Sequence, residues 1–383
     1  MKITYISNSS APSKNASSLQ TAKLCEGISK LGNKVNLILP DTGLKKNYFT
    51  FYNIRSRFKL TRLSFFKKFP KGINYYLYAF YSIYKSNFKK QDLFITRNFF
   101  ASFILSLLNK KQILEIHDGI ELEGKVVKFL IQHLKILNNR NIIKIITTTH
   151  SLKRLYVAKY KVEKDKIFVL HNASGLKSNY SKIKKNKKKL NVGYFGSLYF
   201  SRGLDMLIKL SKNDIHNNYF IYGGDKKNIN DLKKKYNYKN LFFSEYIPYS
   251  KIQNKLKKVD VCILPYTNLV TVSGDVGDIS KYTSPLKLFD YMKLGKLILC
   301  SNLKVLNEVL KHKKNCILIN NYKNEKEWLK QIFKVSRNIK KYDNIRRSAF
   351  EYAKKHDVIW RTSKLLSFYD YSKWVFIWLF LVH

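Results

Sequence analysis

The sequence predicts an α/β protein built as two doubly wound parallel sheets, one after the other along the chain. Three observations carry this. Short runs rich in Val, Ile and Phe alternate with longer amphipathic stretches, as parallel strands do with crossover helices. At 383 residues, 45% of them hydrophobic, the chain exceeds the usual size of one domain and has the apolar material for two cores. A polar, lysine-rich stretch from Ala173 to Lys189 divides two such alternating series.

In the first series the strands are expected at Lys2 to Ser7, Lys34 to Leu39, Asp92 to Thr96, Gln112 to Ile116, Ile142 to Thr147 and Lys166 to His171. A helix from Ser18 to Leu31 fits after the first strand, with Gly32 as its stop signal. The second series places strands at Leu190 to Phe195, Tyr219 to Tyr222, Asn240 to Ser244, Val259 to Leu264, Lys296 to Ser301 and Cys316 to Asn320. Helices over roughly Glu325 to Lys355 and Val358 to Tyr369 complete it. The expected domains are therefore 1–172 and 190–357, with 173–189 as linker and 358–383 as a closing helix and apolar tail. Two doubly wound sheets in series imply a cleft between domains, beyond the carboxyl ends of the strands.

Composition excludes several classes. Cys25, Cys262, Cys300 and Cys316 are scattered, with no CxxC pair and no zinc-ligand spacing, so reduced thiols in a cytoplasmic protein are expected. The N-terminus turns polar too early for a secretory signal, and no apolar run reaches the roughly 20 residues of a membrane span. The stretch Trp374 to Val382 is apolar but too short to cross. A net charge of +48 brings nucleic acid into view, yet the lysines are spread over the whole chain rather than clustered, so no specific nucleic-acid partner is expected. Basic and aromatic residues interleave from Lys45 to Lys71, which suits attraction to an anionic membrane surface and a peripheral place on its inner face.

The segment from Ser284 to Lys296 reads SPLKLFDYMKLGK and carries the clearest chemistry. Proline suits a first helical position, so a helix starting near Ser284, Pro285 and Leu286 would present free N–H groups to an anion. Lys287 and Asp290, three apart, share a helical face, where a cation for a diphosphate and a carboxylate for sugar hydroxyls can line one pocket. The alternative from local chemistry is a solvated ion pair on an exposed turn.

This segment resembles the signature of glycosyltransferase family 4, SPLKLFEYMAxGKPI followed by a strand and a glutamate. The resemblance extends to Asn191–Leu198 with Gly196 and Ser197, to Arg202-Gly203, to Ile221–Asp225, to Tyr246-Ile247-Pro248 and to Val259–Tyr266. It is looser in the first half, at Asp92–Arg97, Glu115–Asp118 and Val169–Ala173. It implies the GT-B fold, two Rossmann-like domains facing each other across a cleft, with the nucleotide-sugar donor on the second domain, the acceptor on the first, and a last helix crossing back to the first. It implies Asp290 at the ribose, Arg202 and Lys287 at the diphosphate, and the loop at Tyr246 and Ile247 around the base. His117 would lie near the reacting sugar, on an acceptor side that also includes Ser9, Ser10 and Arg97. The alternative for His117 is a structural histidine bonded to backbone at a strand end.

One position departs from the family pattern. The place of a glutamate that contacts the transferred sugar holds Tyr282, which puts donor specificity in question. Asp275 and Asp278 could substitute, or could be turn residues. No Asp-x-Asp pair occurs, and the expected reaction is metal-independent, cofactor-free transfer from a nucleotide-sugar to a glycan or lipid-linked acceptor, with retention implied by the resemblance. Three rivals are a nicotinamide oxidoreductase, disfavoured because Ser7–Pro12 holds no GxGxxG, a catalytically silent protein of the same fold, and a basic nucleic-acid binder.

Overall fold

A computed structural model describes the chain except residues 65–68, 184–185, 272–276 and 382–383, and gives the backbone alone for residues 71 and 370–381. The chain divides into two compact units, Met1–His171 with Val358–His383, and Asn172–Asp357.

Unit 1 holds a sheet of seven strands in the order β3-β2-β1-β4-β5-β6-β7. They are β1 (Lys2–Ile6), β2 (Lys34–Pro40), β3 (Lys59–Leu63), β4 (Leu93–Thr96), β5 (Gln112–Ile116), β6 (Ile142–Thr147) and β7 (Ile167–Val169). All pair in parallel, so the order reverses at β1, where β2 lies on one side and β4 on the other. Helices α1 (Ala16–Lys30), α2 (Tyr48–Phe51), α3 (Lys71–Lys85), α4 (Phe99–Leu107), α5 (Lys125–Gln132) and α6 (His150–Tyr160) fill the connections. Most of the strands read as largely apolar runs because they are covered on both faces. Ile3, Tyr5, Ile95 and Ile113 have no solvent exposure at all.

α1 ends as its sequence demands, with Gly32 in the left-handed region just after the C-cap Leu31. Gly27 in its interior has a different reason. A Cβ there would overlap the side chain of Thr362, so the missing side chain lets the closing helix of this unit lie directly against α1.

β3 and α2 add to the sequence expectation, which named no element in this region. Lys59–Leu63, Lys-Leu-Thr-Arg-Leu, mixes polar and apolar residues at a sheet edge, a weak strand signal, and pairs with β2. Of the basic and aromatic stretch from Lys45 to Lys71, the aromatics up to Phe58 turn toward the core, and residues 65–68 lie outside the described residues. Tyr48 and Tyr52 are 1% exposed, and Phe49, Phe51 and Phe58 pack against the same core.

Unit 2 holds a second parallel sheet of six strands, order β10-β9-β8-β11-β12-β13. They are β8 (Asn191–Phe195), β9 (Asn218–Tyr222), β10 (Leu241–Ser244), β11 (Val261–Leu264), β12 (Leu297–Ser301) and β13 (Ile317–Ile319). The helices are α7 (Leu204–Asn213), α8 (Lys226–Lys235), α9 (Tyr249–Lys257), α10 (Leu286–Lys293), α11 (Glu325–Arg337) and α12 (Asp343–Lys355), after which α13 (Val358–Leu381) belongs to unit 1. Trp328 anchors α11 in the core and donates its indole N–H to the carbonyl of Tyr322. Both sheets thus reverse direction at their first strand, the point where doubly wound folds bind ligands.

The polar stretch after His171 does not run free. Ala173 and Leu176 are buried, Tyr180 donates to the Asp343 carboxylate at 2.7 Å, and Ile183 packs on the unit 2 core. Its few apolar side chains suffice because each meets a prepared partner. No described helix is long and apolar enough to cross a membrane; the backbone of Trp374 to Leu381 continues α13, and its side chains lie outside the described residues.

Candidate active site

The carboxyl end of β8 is built around glycine. Gly196 follows the strand, donates its N–H to the Tyr222 carbonyl at 2.9 Å, and lies against Gly223, where a Cβ would overlap the Gly196 carbonyl. Ser197 continues the loop, its carbonyl accepting from the Tyr194 hydroxyl at 2.9 Å. Beside it begins α10. The sequence placed Pro285 as the first helical residue; it is instead the N-cap, and Leu286 opens the helix. No side chain caps this end. The helix is fixed to the strand by Tyr291, whose hydroxyl accepts the Phe195 N–H at 2.9 Å.

Three lysines of this segment are drawn inward, and their surroundings differ. Lys296 donates to the Val259 carbonyl at 2.7 Å, and Lys293 stands 3.7 Å from the Asp357 carboxylate. The Lys287 ammonium, shut off from solvent, has no hydrogen-bond partner. It rests 3.8 Å from the ring centre of Tyr194 and 5.2 Å from that of Tyr266. A Cβ on Gly196 would stand 2.5 Å from it. Burial, with the neighbouring Arg202 pushing the same way, depresses its pKa well below the lysine range. Arg202 donates through Nη2 to the Thr271 carbonyl at 2.5 Å, while its buried Nε has no partner. Two cations therefore converge at the uncapped start of α10 with donors to spare, an arrangement suited to an anion of two or more charges.

Asp290 is no part of an exposed ion pair. It is 4% exposed, and its Oδ1 accepts from the Ser174 hydroxyl at 2.5 Å and the Tyr249 hydroxyl at 3.0 Å. Asn172 donates to the Ser284 carbonyl at 2.5 Å, so the residues just after His171 brace both ends of the Ser284–Asp290 segment. Tyr246 follows β10 and donates its N–H to the Gly224 carbonyl at 3.1 Å, and Ile247 packs on the apolar cluster beneath. The structure thus brings together Gly196, Arg202 and Lys287, with Asp290 one turn further along α10.

Tyr282 donates to the Asp278 carbonyl at 3.3 Å. Asp278 is a turn residue, its carboxylate accepting from the N–H groups of Ser280 and Val270 at 2.8 and 3.1 Å. Asp275 lies outside the described residues.

In unit 1, Arg97 at the end of β4 and His117 at the end of β5 meet around Glu115. This fully buried carboxylate accepts from the Tyr5 hydroxyl at 2.7 Å and from Arg361 of α13 at 2.8 Å, and Arg97 Nε stands 3.6 Å away. Burial alone would raise its pKa; Arg361 and Arg97 overrule it and hold it well below the carboxylate range. His117 Nε2 lies 3.9 Å from Glu115 and has no hydrogen-bond partner, so it is not tied to backbone. Burial and Arg97 depress its pKa to about 4, leaving the ring neutral near pH 7. Next to it, burial and Asp118 push Glu123 up to about 7. The β1 loop approaches through Asn8, which bonds Asn98 at 2.8 Å; Ser9 N–H turns back onto Ser7, and the Ser10 carbonyl accepts from Ser18.

Sequence reasoning missed Tyr194 and Tyr266, Ser174 and Tyr249, and the pair Glu115–Arg361. Tyr194 and Tyr266 stood in the quoted strand-end segments with no role assigned; their position against Lys287 gives them one.

Two parallel sheets with the order reversing at the first strand, and an anion-ready helix start beside a glycine loop, fit the GT-B fold. Residues 177–355, within unit 2, match the family described as glycosyl transferases group 1. No curated protein sequence matches it. Solved structures share the fold at low identity. HepE of Anabaena, solved with UDP-glucose, superposes with a TM-score of 0.67 at 13% identity over 96% of this chain and 98% of that one. S. aureus TarM, a variant solved with Fondaparinux, alpha-GlcNAc-glycerol and UDP, gives 0.66 at 14% over 96% and 99%. The apo form of the lipopolysaccharide outer core galactosyltransferase WaaB gives 0.65 at 13% over 97% and 100%.

Proposed function

We propose that this protein moves a sugar from a nucleoside diphosphate sugar to a hydroxyl of a glycan or lipid-linked acceptor, without a metal ion and with retention at the anomeric carbon, as the resemblance to family 4 implies. The observation that carries the reading is the partnerless Lys287 ammonium beside Arg202 at the uncapped start of α10. As the anomeric C–O bond breaks, negative charge gathers on the departing diphosphate, where Arg202, Lys287 and the α10 amides would meet it. The acceptor hydroxyl attacks from the same face, and the leaving phosphate oxygen takes its proton. Asp290, held by Ser174 and Tyr249, is the candidate for the ribose, and Gly196, Ser197, Tyr246 and Ile247 surround the remaining nucleotide. The neutral His117, with Arg97, Ser9 and Ser10, would position the acceptor. The complexes of HepE with UDP-glucose and of TarM with UDP support a UDP-linked donor, and the alpha-GlcNAc-glycerol bound to TarM and the lipopolysaccharide outer core galactosyltransferase WaaB support a glycan acceptor.

Calorimetry with UDP, GDP and ADP in the presence of EDTA, followed by proton NMR of the transfer product, tests this. One nucleotide is expected to bind without metal and the new linkage to keep the donor's configuration. Binding that requires a divalent ion, or an inverted product, would overturn the mechanism.

A further inference from the structure

The helices on one side of the unit 1 sheet are apolar where they face solvent. α3 carries charge only at its two ends, Lys71 and Lys85, and α4 carries none. The inner side of α3 packs Tyr78, Ala79 and Ile83 into the core, as expected. Its outer side, spaced at helical intervals, presents Ile73, Phe80 and Tyr84, which are 51%, 55% and 71% exposed. A helix that is hydrophobic all round is one that has been covered on both sides.

The patch is continuous. Phe100 of α4 touches Tyr76 and Phe80 of α3 with ring centres 4.8 and 5.5 Å apart, and Leu107 extends the surface along α4. Tyr76 reaches the start of α5, where a Cβ on Gly124 would stand 3.4 Å from its hydroxyl, and α5 adds Phe129, half-exposed.

Its rim is basic. The Lys85 ammonium lies 5.2 Å from the Tyr81 ring centre and 5.8 Å from that of Tyr84. α3, α4 and α5 contain no Asp or Glu, and neither does the chain anywhere from Thr42 to Gln91. A second copy of this chain would set like charges against one another across such a face. A surface with an apolar interior and dense negative charge at its edge fits it.

We infer that the outer face of α3, α4 and α5 is the docking surface for an anionic lipid bilayer, with Phe80 and Tyr84 entering the headgroup region and the lysines around them meeting lipid phosphates. This places the contact on different elements from the Lys45–Phe58 aromatics, which the fold uses internally. It deepens the reading of a lipid-linked acceptor, and it stands whether or not a donor binds.

The test is sedimentation of the full chain with vesicles of phosphatidylglycerol and phosphatidylcholine in equal parts, and with pure phosphatidylcholine, for the native protein, Phe80→Glu/Tyr84→Glu, Phe80→Ser/Tyr84→Ser and Trp374→Glu/Trp378→Glu. Circular dichroism melting checks folding independently of nucleotide. The native protein is expected to bind the anionic vesicles, less so as salt rises, and the Glu pair to bind at least about tenfold more weakly with an unchanged melt. The Ser pair, which keeps the charge, is expected to fall in between. If the Glu pair binds as well as native, if only the Trp374/Trp378 variant loses binding, or if the native protein ignores vesicles and instead forms a dimer that the Glu pair abolishes, the assignment is wrong.

Discussion

In unit 1 the buried carboxylate of Glu115 is surrounded by Arg361, Arg97 and Tyr5, whereas in unit 2 the buried ammonium of Lys287 lies against two phenol rings without a hydrogen-bond partner. A charge taken out of water costs several kcal/mol unless its surroundings return the interaction. The Glu115 cluster has that return within the unit. The Lys287 site offers only the faces of Tyr194 and Tyr266, with no counter-charge and no hydrogen-bond acceptor, which suits an anion arriving from outside. The pair also explains their different sensitivities.

The largest effect on folding is expected at Glu115. Glu115→Gln leaves Arg97 and Arg361 buried together without their counter-charge, and urea denaturation should show a loss of about 3 to 5 kcal/mol.

The two titrating neighbours of that cluster should respond to pH in opposite directions. His117 has a folded pKa of about 4, below its unfolded value, so the unfolded chain takes up the proton first and native stability falls as pH drops from about 6.5 to 4. Glu123 has a folded pKa of about 7, above its unfolded value, so its ionisation weakens the native state as pH rises from about 4.5 to 7. His117→Gln should therefore gain on native at pH 4.5, and Glu123→Gln at pH 8, each by up to about 3 kcal/mol in denaturant titrations. Equal shifts at both pH values would show that neither group titrates as assigned.

Next come the two lysines of one segment. Lys296→Met leaves the buried Val259 carbonyl without its donor and should cost about 1 to 3 kcal/mol, while Lys287→Met removes a buried amine that has no hydrogen-bond partner and should leave the ligand-free melting temperature equal or higher. The smallest effect is expected at Gly196. An added methyl must displace the Lys287 ammonium, so Gly196→Ala should weaken nucleotide binding by about tenfold, roughly 1.4 kcal/mol.

How much of this was legible in the sequence follows the same division between local and distant information. Strands such as β5 and β6 match their expected bounds because a buried parallel strand is written mostly in Ile and Leu, even where β5 also holds Glu115 and β6 Lys144. Gly32 and the SPLK start of α10 are local signals of the same kind, although the N-cap falls one residue away from the expectation. β3 was missed because an edge strand that mixes Lys, Thr and Arg with Leu carries no such signal. At the site, Arg202, Lys287 and Asp290 were visible as residue types in a family pattern. Their environments were not. The Tyr194–Tyr266 cage, the Ser174–Tyr249 hold on Asp290, and the bond from Arg361 to Glu115, 246 positions apart, are made by tertiary structure alone.

The central claim is that the Lys287 ammonium lacks a partner because it awaits the donor's diphosphate, and calorimetric titration of UDP into native protein and Lys287→Met, both with EDTA, tests it most directly. A charge-assisted contact of about 1.5 to 3 kcal/mol predicts binding weaker by roughly 10- to 150-fold in a variant that melts no lower than native. Equal affinity in the two proteins would contradict it, and would leave the buried lysine without a role in donor binding.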